Sequence, residues 1–71
     1  MTSTQFGQAV RAARNNAGLT QAEAAALCGV SVPFFSHLEN GKPSIQMAKA
    51  FHVAEQLGLK IVVQPAPARQ A

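Results

Sequence analysis

Residues 19–42, with the sequence LTQAEAAALCGVSVPFFSHLENGK, constrain the fold more than any other part of this chain. They contain two short segments with helical spacing of apolar residues, separated by a Gly-Val-Ser break. Thr20 and Glu23 have the spacing of a capping box, in which each side chain satisfies a free N–H group at a helix start. This pattern predicts a helix from Gln21 to Cys28, which Gly29 ends.

The second segment predicts another helix, from Val32 to about Glu39 or Asn40. Ser31 can cap this helix, and Pro33 is tolerated there because the first turn has no intrahelical acceptor for its missing N–H. Two short helices joined by three or four residues meet at a steep angle and form a helix-turn-helix. The pair is expected to pack through its small and apolar side chains, which are Ala24, Ala25, Cys28, Val30, Phe35 and Leu38.

The flanking segments predict two more helices, so that residues 1–58 form one four-helix domain. The first helix is predicted to begin at an N-cap of Ser3 or Thr4 and to run to about Ala17. The fourth is predicted to begin at Ser44 and to end at Gly58. The residues expected to face inward on the fourth helix are Met47, Ala50, Phe51, Ala54 and Leu57.

Residues 59–64, LKIVVQ, are β-branched and partly alternating, which predicts a strand. The predicted fold is therefore all-α with one C-terminal β-strand. A lone strand leaves its backbone groups without partners, so we expect it to pair antiparallel with its copy across a homodimer. A frayed extension or a continued helix is the alternative. The residues assigned to this dimer strand are Leu59, Lys60, Ile61, Val62 and Val63, and residues 65–71 are predicted to be a disordered tail.

Composition narrows the classes of function. The 71 residues carry a net charge of +3, a modest basic excess that fits a polyanionic partner. Cys28 is the only cysteine, and His37 and His52 lack the spacing of zinc ligands, so neither metal nor cofactor is predicted. The sequence holds no aspartate and no nucleophile–base pair beyond Cys28 and His37, so we do not expect an enzyme.

The sequence also bears on location. The first 16 residues have no apolar segment typical of a signal peptide, and no run of about 18 apolar residues predicts a membrane span. With a free thiol, this favours the cytoplasm, in association with the nucleoid.

The segments GLTQAEAAALCGVS and LENGK resemble the phage-repressor (Cro-type) helix-turn-helix family. That resemblance covers residues 6–57 and implies a compact helical domain that binds operator DNA as a dimer. The ending QLGLKIVVQP is similar to that of HipB-like antitoxins. This second resemblance implies a strand that pairs between protomers and a HipA-like, kinase-type toxin as partner.

The geometry of this motif places the second helix of the pair in the DNA major groove, with its N-terminal residues toward the bases. The residues expected to contact bases are Val32, Pro33, Ser36 and His37. Phe34 lies at the margin, and an interface or core role is favoured slightly over base contact for it. Val32 and Pro33 can offer only apolar contact, most naturally to thymine methyl groups.

Phosphate contacts are expected at both ends of the motif. Thr20 and Gln21 lie at a helix N-terminus, and the family resemblance places Gln21 on a phosphate. Asn40 and Lys42 are expected to hold phosphates at the far end of the second helix. Arg11 suits a phosphate or solvent equally. The remaining interaction comes from the resemblance, which pairs Arg14 with Glu39 in a structural salt bridge.

Three hypotheses about function follow. The first is a DNA-binding repressor that is also the antitoxin of a HipB-like toxin–antitoxin module. The second is a stand-alone repressor without a toxin. The third is a protein-interaction module with a degenerate helix-turn-helix, which the apolar VPFF segment favours.

Overall fold

The computed structural model describes residues 1–63 and Pro65, and its helical part is the predicted four-helix arrangement. The helices are α1 (Ser3–Asn16), α2 (Gln21–Cys28), α3 (Val32–Glu39) and α4 (Met47–Gln56). Helix α3 packs against both α1 and α2, and α2 also packs against α4. Within the described residues, no helix has the length and apolar character that crossing a membrane requires.

The two central helices have the predicted bounds. Thr20 caps α2, and Glu23 completes the capping box. Gly29 ends this helix in the left-handed conformation, with φ of 70°, which only glycine adopts without steric cost. Ser31 Oγ accepts a hydrogen bond from Phe34 N at 3.1 Å and so caps α3.

The prediction for the start of α1 was wrong by one or two residues. Thr2, rather than Ser3 or Thr4, is its N-cap. The physical reason is a second capping box. Thr2 Oγ1 accepts from Gln5 N at 3.1 Å, while Gln5 Oε1 accepts from Thr2 N at 2.9 Å.

The prediction for the start of α4 was wrong by three residues, because this helix begins at Met47 instead of Ser44. Residues 43–45 form a turn and a bend, and Ile45 packs against the core from there. The inward face of α4 also differs from the prediction. Met47 lies in the first turn with 67% of its surface exposed, and Phe51 is 38% exposed.

The core is small and is drawn from all four helices. Its largest fully buried side chains are Val10, Phe35 and Val53, one each from α1, α3 and α4. Helix α2 contributes only small residues, namely Ala24, Ala25 and Cys28, so its backbone comes close to its neighbours. Burial raises the pKa of the Cys28 thiol and keeps it protonated.

Gly7 allows α1 to approach the C-terminal end of α3. A Cβ atom at this position would lie 2.4 Å from the carbonyl oxygen of Leu38 and 2.6 Å from that of Glu39. Gly41 has a φ of 76°, and a Cβ atom there would lie 2.7 Å from the Cα atom of Thr4. These two glycines fix where α3 ends against α1.

The predicted C-terminal strand is not seen within the single chain. Residues 59–63 form neither strand nor helix, and Leu59 packs against the core. A strand that pairs only with a second copy has no partner in one chain, so its pairing stays a prediction. Gln64 and residues 66–71, to which the end of the strand and the tail were assigned, lie outside the described residues.

Candidate nucleic-acid interface

Helix α3 divides its residues between two faces. Phe35, Leu38 and Glu39 are buried at the spacing of a single inward stripe. The opposite face carries Pro33 and His37, both exposed, and the half-buried Ser36. Helical periodicity places these three together on a single surface, and Val32, 43% exposed, stands at its N-terminal end.

Phe34 lies between the two faces. It is half-buried and packs against the core, and Lys49 Nζ of α4 lies 5.7 Å from the centre of its ring. A cation at this distance is attracted by the negative face of an aromatic ring. Lys49 therefore connects α4 to the edge of α3.

Glu39 is the one charged residue among the buried residues of the described chain. Its carboxylate accepts two hydrogen bonds from Arg14, from Nε to Oε2 at 2.6 Å and from Nη2 to Oε1 at 3.1 Å. Gln21 Nε2 donates to Oε1 at 2.8 Å. Arg11 Nε contributes a longer contact to the same oxygen, at 3.4 Å. Two residues of α1 and one of α2 therefore bind a single carboxylate of α3.

These contacts keep Glu39 ionised. Burial alone would raise the pKa of its carboxyl group, but hydrogen bonds from Arg14 and Gln21 and the charge of Arg14 outweigh burial and lower that pKa. The hydrogen bond to Glu39 correspondingly raises the pKa of Arg14. The structure thus brings together the pair that the family resemblance had indicated.

Gln21, expected on a phosphate, lies with its amide directed at Glu39. One N–H of its Nε2 is used there, and an amide nitrogen carries a second. Thr20, the other expected phosphate contact of α2, is engaged in the cap. Its Oγ1 accepts from Glu23 N at 3.1 Å, and its backbone N donates to Glu23 Oε1 at 2.8 Å.

At the far end of α3, the two expected phosphate contacts differ. Asn40 is exposed and bonded to its neighbours: Oδ1 accepts from Arg11 Nη2 at 3.2 Å, and Nδ2 lies 3.5 Å from Ser36 Oγ. Lys42 is exposed, and its side chain makes no hydrogen bond to the described residues. Sequence analysis had not connected Arg11 to Asn40. The sequence feature that could have indicated this contact is the position of Arg11 one turn before Arg14 on α1.

The residues of the predicted dimer strand lie apart from this surface. Ile61, Val62 and Val63 are exposed and border an apolar cavity of about 290 Å³ that Phe6 and Phe51 also line. The rings of these two phenylalanines lie 6.2 Å apart. Among the described residues, no group of three or more His, Cys, Asp or Glu side chains could hold a metal ion.

Comparison with known proteins agrees with this geometry. Residues 5–60 match the model of a family described as a helix-turn-helix domain. The chain is also similar to an uncharacterized HTH-type transcriptional regulator, y4mF, of Sinorhizobium fredii (strain NBRC 101917 / NGR234). The two are 38% identical over 60 residues, which is 84% of this chain and 79% of that protein.

The lowered pKa of Glu39 predicts how stability depends on pH. The unfolded chain, with a glutamate pKa of about 4.3, binds a proton before the folded protein does, so this contribution is complete above that pH and is lost as pH falls through the lower, folded value. Glu39→Gln should lower the free energy of unfolding at pH 7 by about 3 kcal/mol, because Arg14 loses its buried partner. The difference from wild type should shrink in acid.

Urea denaturation followed by circular dichroism, between about pH 7 and pH 3, measures both effects. Glu23→Gln is the matched control. Hydrogen bonds from Thr20 lower the pKa of Glu23 as well, but this carboxylate is exposed. Its loss should cost less at pH 7. A Glu39→Gln variant as stable as Glu23→Gln at pH 7 would contradict the assignment.

Proposed function

This chain belongs to the helix-turn-helix domain family, and from that membership and the geometry above we propose that it is a sequence-specific DNA-binding transcriptional repressor. The observation that carries the proposal is the exposed face of α3. The buried Glu39 and its partners Arg11, Arg14 and Gln21, which we call the Glu39 cluster, hold that face away from the core. A helix presented in this way fits the major groove of B-form DNA. We therefore call α3 the recognition helix.

The side chains of this face suggest how bases are read. Ser36 and His37 can exchange hydrogen bonds with base edges, whereas Val32 and Pro33 offer methyl and methylene groups to thymine methyls. None of these four makes the bidentate contacts typical of Arg, Asn or Gln. Part of the specificity would then come from methyl contacts and from DNA shape.

Phosphate contacts would fix the register of the helix on the duplex. Gln21 can donate one amide hydrogen to Glu39 and the other to a phosphate, so that its position on the protein is set before DNA arrives. Thr20, Asn40 and Lys42 would bind the neighbouring phosphates.

We also propose that the repressor is a homodimer bound to a palindromic operator. The support is the apolar surface of Phe51 and residues 61–63, which lies apart from the recognition helix and includes Val62 with 60% of its surface exposed. A contiguous apolar surface of this kind favours association. Antiparallel pairing of two copies of residues 59–63 would cover it and satisfy their backbone groups. The half-sites would lie about one DNA turn apart, roughly 34 Å.

We propose in addition that the protein binds a toxin. The resemblance of the ending QLGLKIVVQP to HipB-like antitoxins supports an antitoxin that represses its own operon and binds a kinase-type toxin. Purification of the tagged protein from its native host separates this from a stand-alone repressor. A stoichiometric kinase-type protein bound together with promoter DNA is expected, and DNA alone would contradict the antitoxin role.

Sequence-specific binding can be tested on DNA directly. Selection from a random-sequence duplex library should enrich an inverted repeat. His37→Ala should weaken binding to that sequence several-fold, since each hydrogen bond lost to a base edge costs about 0.5–1.5 kcal/mol. Fluorescence anisotropy measures the affinities.

His52→Ala is the matched control, since His52 is an exposed histidine on α4. It should bind as wild type does. Equal affinities for the two variants would contradict the placement of His37. Binding to proteins but not to DNA, insensitive to salt, would instead favour the protein-interaction module.

The mass of the protein in solution tests the proposed dimer. Wild type should have twice the chain mass of 7.4 kDa in solution, and deletion of residues 59–71 should give monomers. Light scattering coupled to size-exclusion chromatography measures the masses. Helical circular dichroism, which reports α1 to α4, checks that the shortened chain folds. A folded, truncated protein that remained dimeric would contradict pairing through this segment.

A further inference from the structure

A chain of hydrogen-bonded polar side chains crosses the domain beside the recognition helix. It runs from Ser36 to Asn40, from Asn40 to Arg11, and through Glu39 to Gln21. The sequence assigned Ser36, Asn40 and Gln21 to DNA and left Arg11 open between a phosphate and solvent. Arg11 is the cation in the middle of this chain.

The two arginines that bind Glu39 differ in how much of each guanidinium is bound within the protein. Arg14 engages all three of its nitrogens, because Nη1 donates to the carbonyl oxygen of Leu19 at 2.9 Å while Nε and Nη2 bind Glu39. Its side chain is only 14% exposed. Every nitrogen of Arg14 is therefore bound within the protein.

Arg11 is only partly committed. Its side chain is 48% exposed, its contact with Glu39 is 3.4 Å, and its contact with Asn40 is 3.2 Å. A guanidinium has five N–H donors, and these two contacts leave three of them unused among the described residues, two on Nη1 and one on Nη2. Glu39 is already satisfied by shorter bonds from Arg14 and Gln21.

The charges lead to the same conclusion. One carboxylate faces two guanidinium groups, so the cluster carries one net positive charge. Arg14, at 2.6 Å, neutralises the carboxylate, which leaves the excess on the exposed Arg11. A guanidinium with free N–H groups and uncompensated charge is suited to a phosphate.

We propose that Arg11 binds a phosphate of the DNA backbone and that Glu39 and Asn40 hold its guanidinium in position for that contact. This inference rests on the proposed function, since it names a ligand for the same surface. Because Arg11 is held on two sides before DNA binds, less side-chain freedom is lost in the complex. Its partner Asn40 follows Ser36 by one turn, which places the guanidinium at the C-terminal edge of the exposed face.

The salt dependence of binding separates this role from a purely structural one. A protein that loses one phosphate contact shows a slope of log K against log[salt] that is smaller by about 0.9. Arg11→Met, measured by anisotropy on the enriched duplex between about 50 and 200 mM KCl, should show this change for each Arg11 removed. It should also bind about tenfold more weakly at low salt. Loss of stability alone would not change the slope.

Two further variants serve as controls. Arg11→Lys keeps the charge and should keep the wild-type slope, with weaker binding because the planar fork is lost. Gln56→Glu lowers the net charge by the same one unit at an exposed position of α4 and should leave the slope unchanged.

An Arg11→Met slope equal to that of wild type would overturn the inference while leaving the proposed function intact. If wild type bound no duplex at all, the proposed function itself would fail. A slope reduced equally by Gln56→Glu would also overturn the inference, because net charge rather than a local contact would then explain the change.

Discussion

The buried carboxylate of Glu39 is the interaction on which the arrangement of this domain depends. An isolated ion in this position would cost several kcal/mol in lost hydration, so the fold is stable only when donors surround it. The donors come from two directions, Arg14 of α1 and Gln21 of α2. Because both bind one side chain of α3, the rotation of α3 about its axis is fixed. The exposed face that carries Ser36 and His37 follows from that rotation.

A polar cluster of this kind suits a chain with a small core. Only about 60% of the surface of such a short chain can be buried on folding, and α2 contributes little more than alanines to the interior. The helices pack by close approach of their backbones rather than through large side chains. Gly7 shows this where α1 meets the last carbonyl groups of α3. The apolar surface at Phe51 and residues 61–63 remains uncovered in one copy, and a dimer would complete the burial that a monomer lacks.

Local signals predicted the central part of the fold well. The capping box at Thr20 and the cap at Ser31 act within four residues, so the bounds of α2 and α3 could be derived from the sequence. The start of α4 could not, because Ile45 holds the preceding turn through contacts with the core that no local pattern reveals. Arg14 and Glu39 were paired through family resemblance. The contact of Arg11 with Asn40, 29 residues apart in the chain, depends on how α1 crosses α3 and was not predicted.

We propose that the Glu39 cluster orients α3 so that its exposed face binds DNA. Titration of ¹⁵N-labelled protein with duplex DNA, followed residue by residue through backbone amide shifts, tests it most directly. We expect the largest shifts at Gln21, at Val32–Glu39 and at Asn40, with α4 and residues 59–63 little changed. Shifts concentrated on Phe51 and residues 59–63, with α3 unaffected, would contradict it.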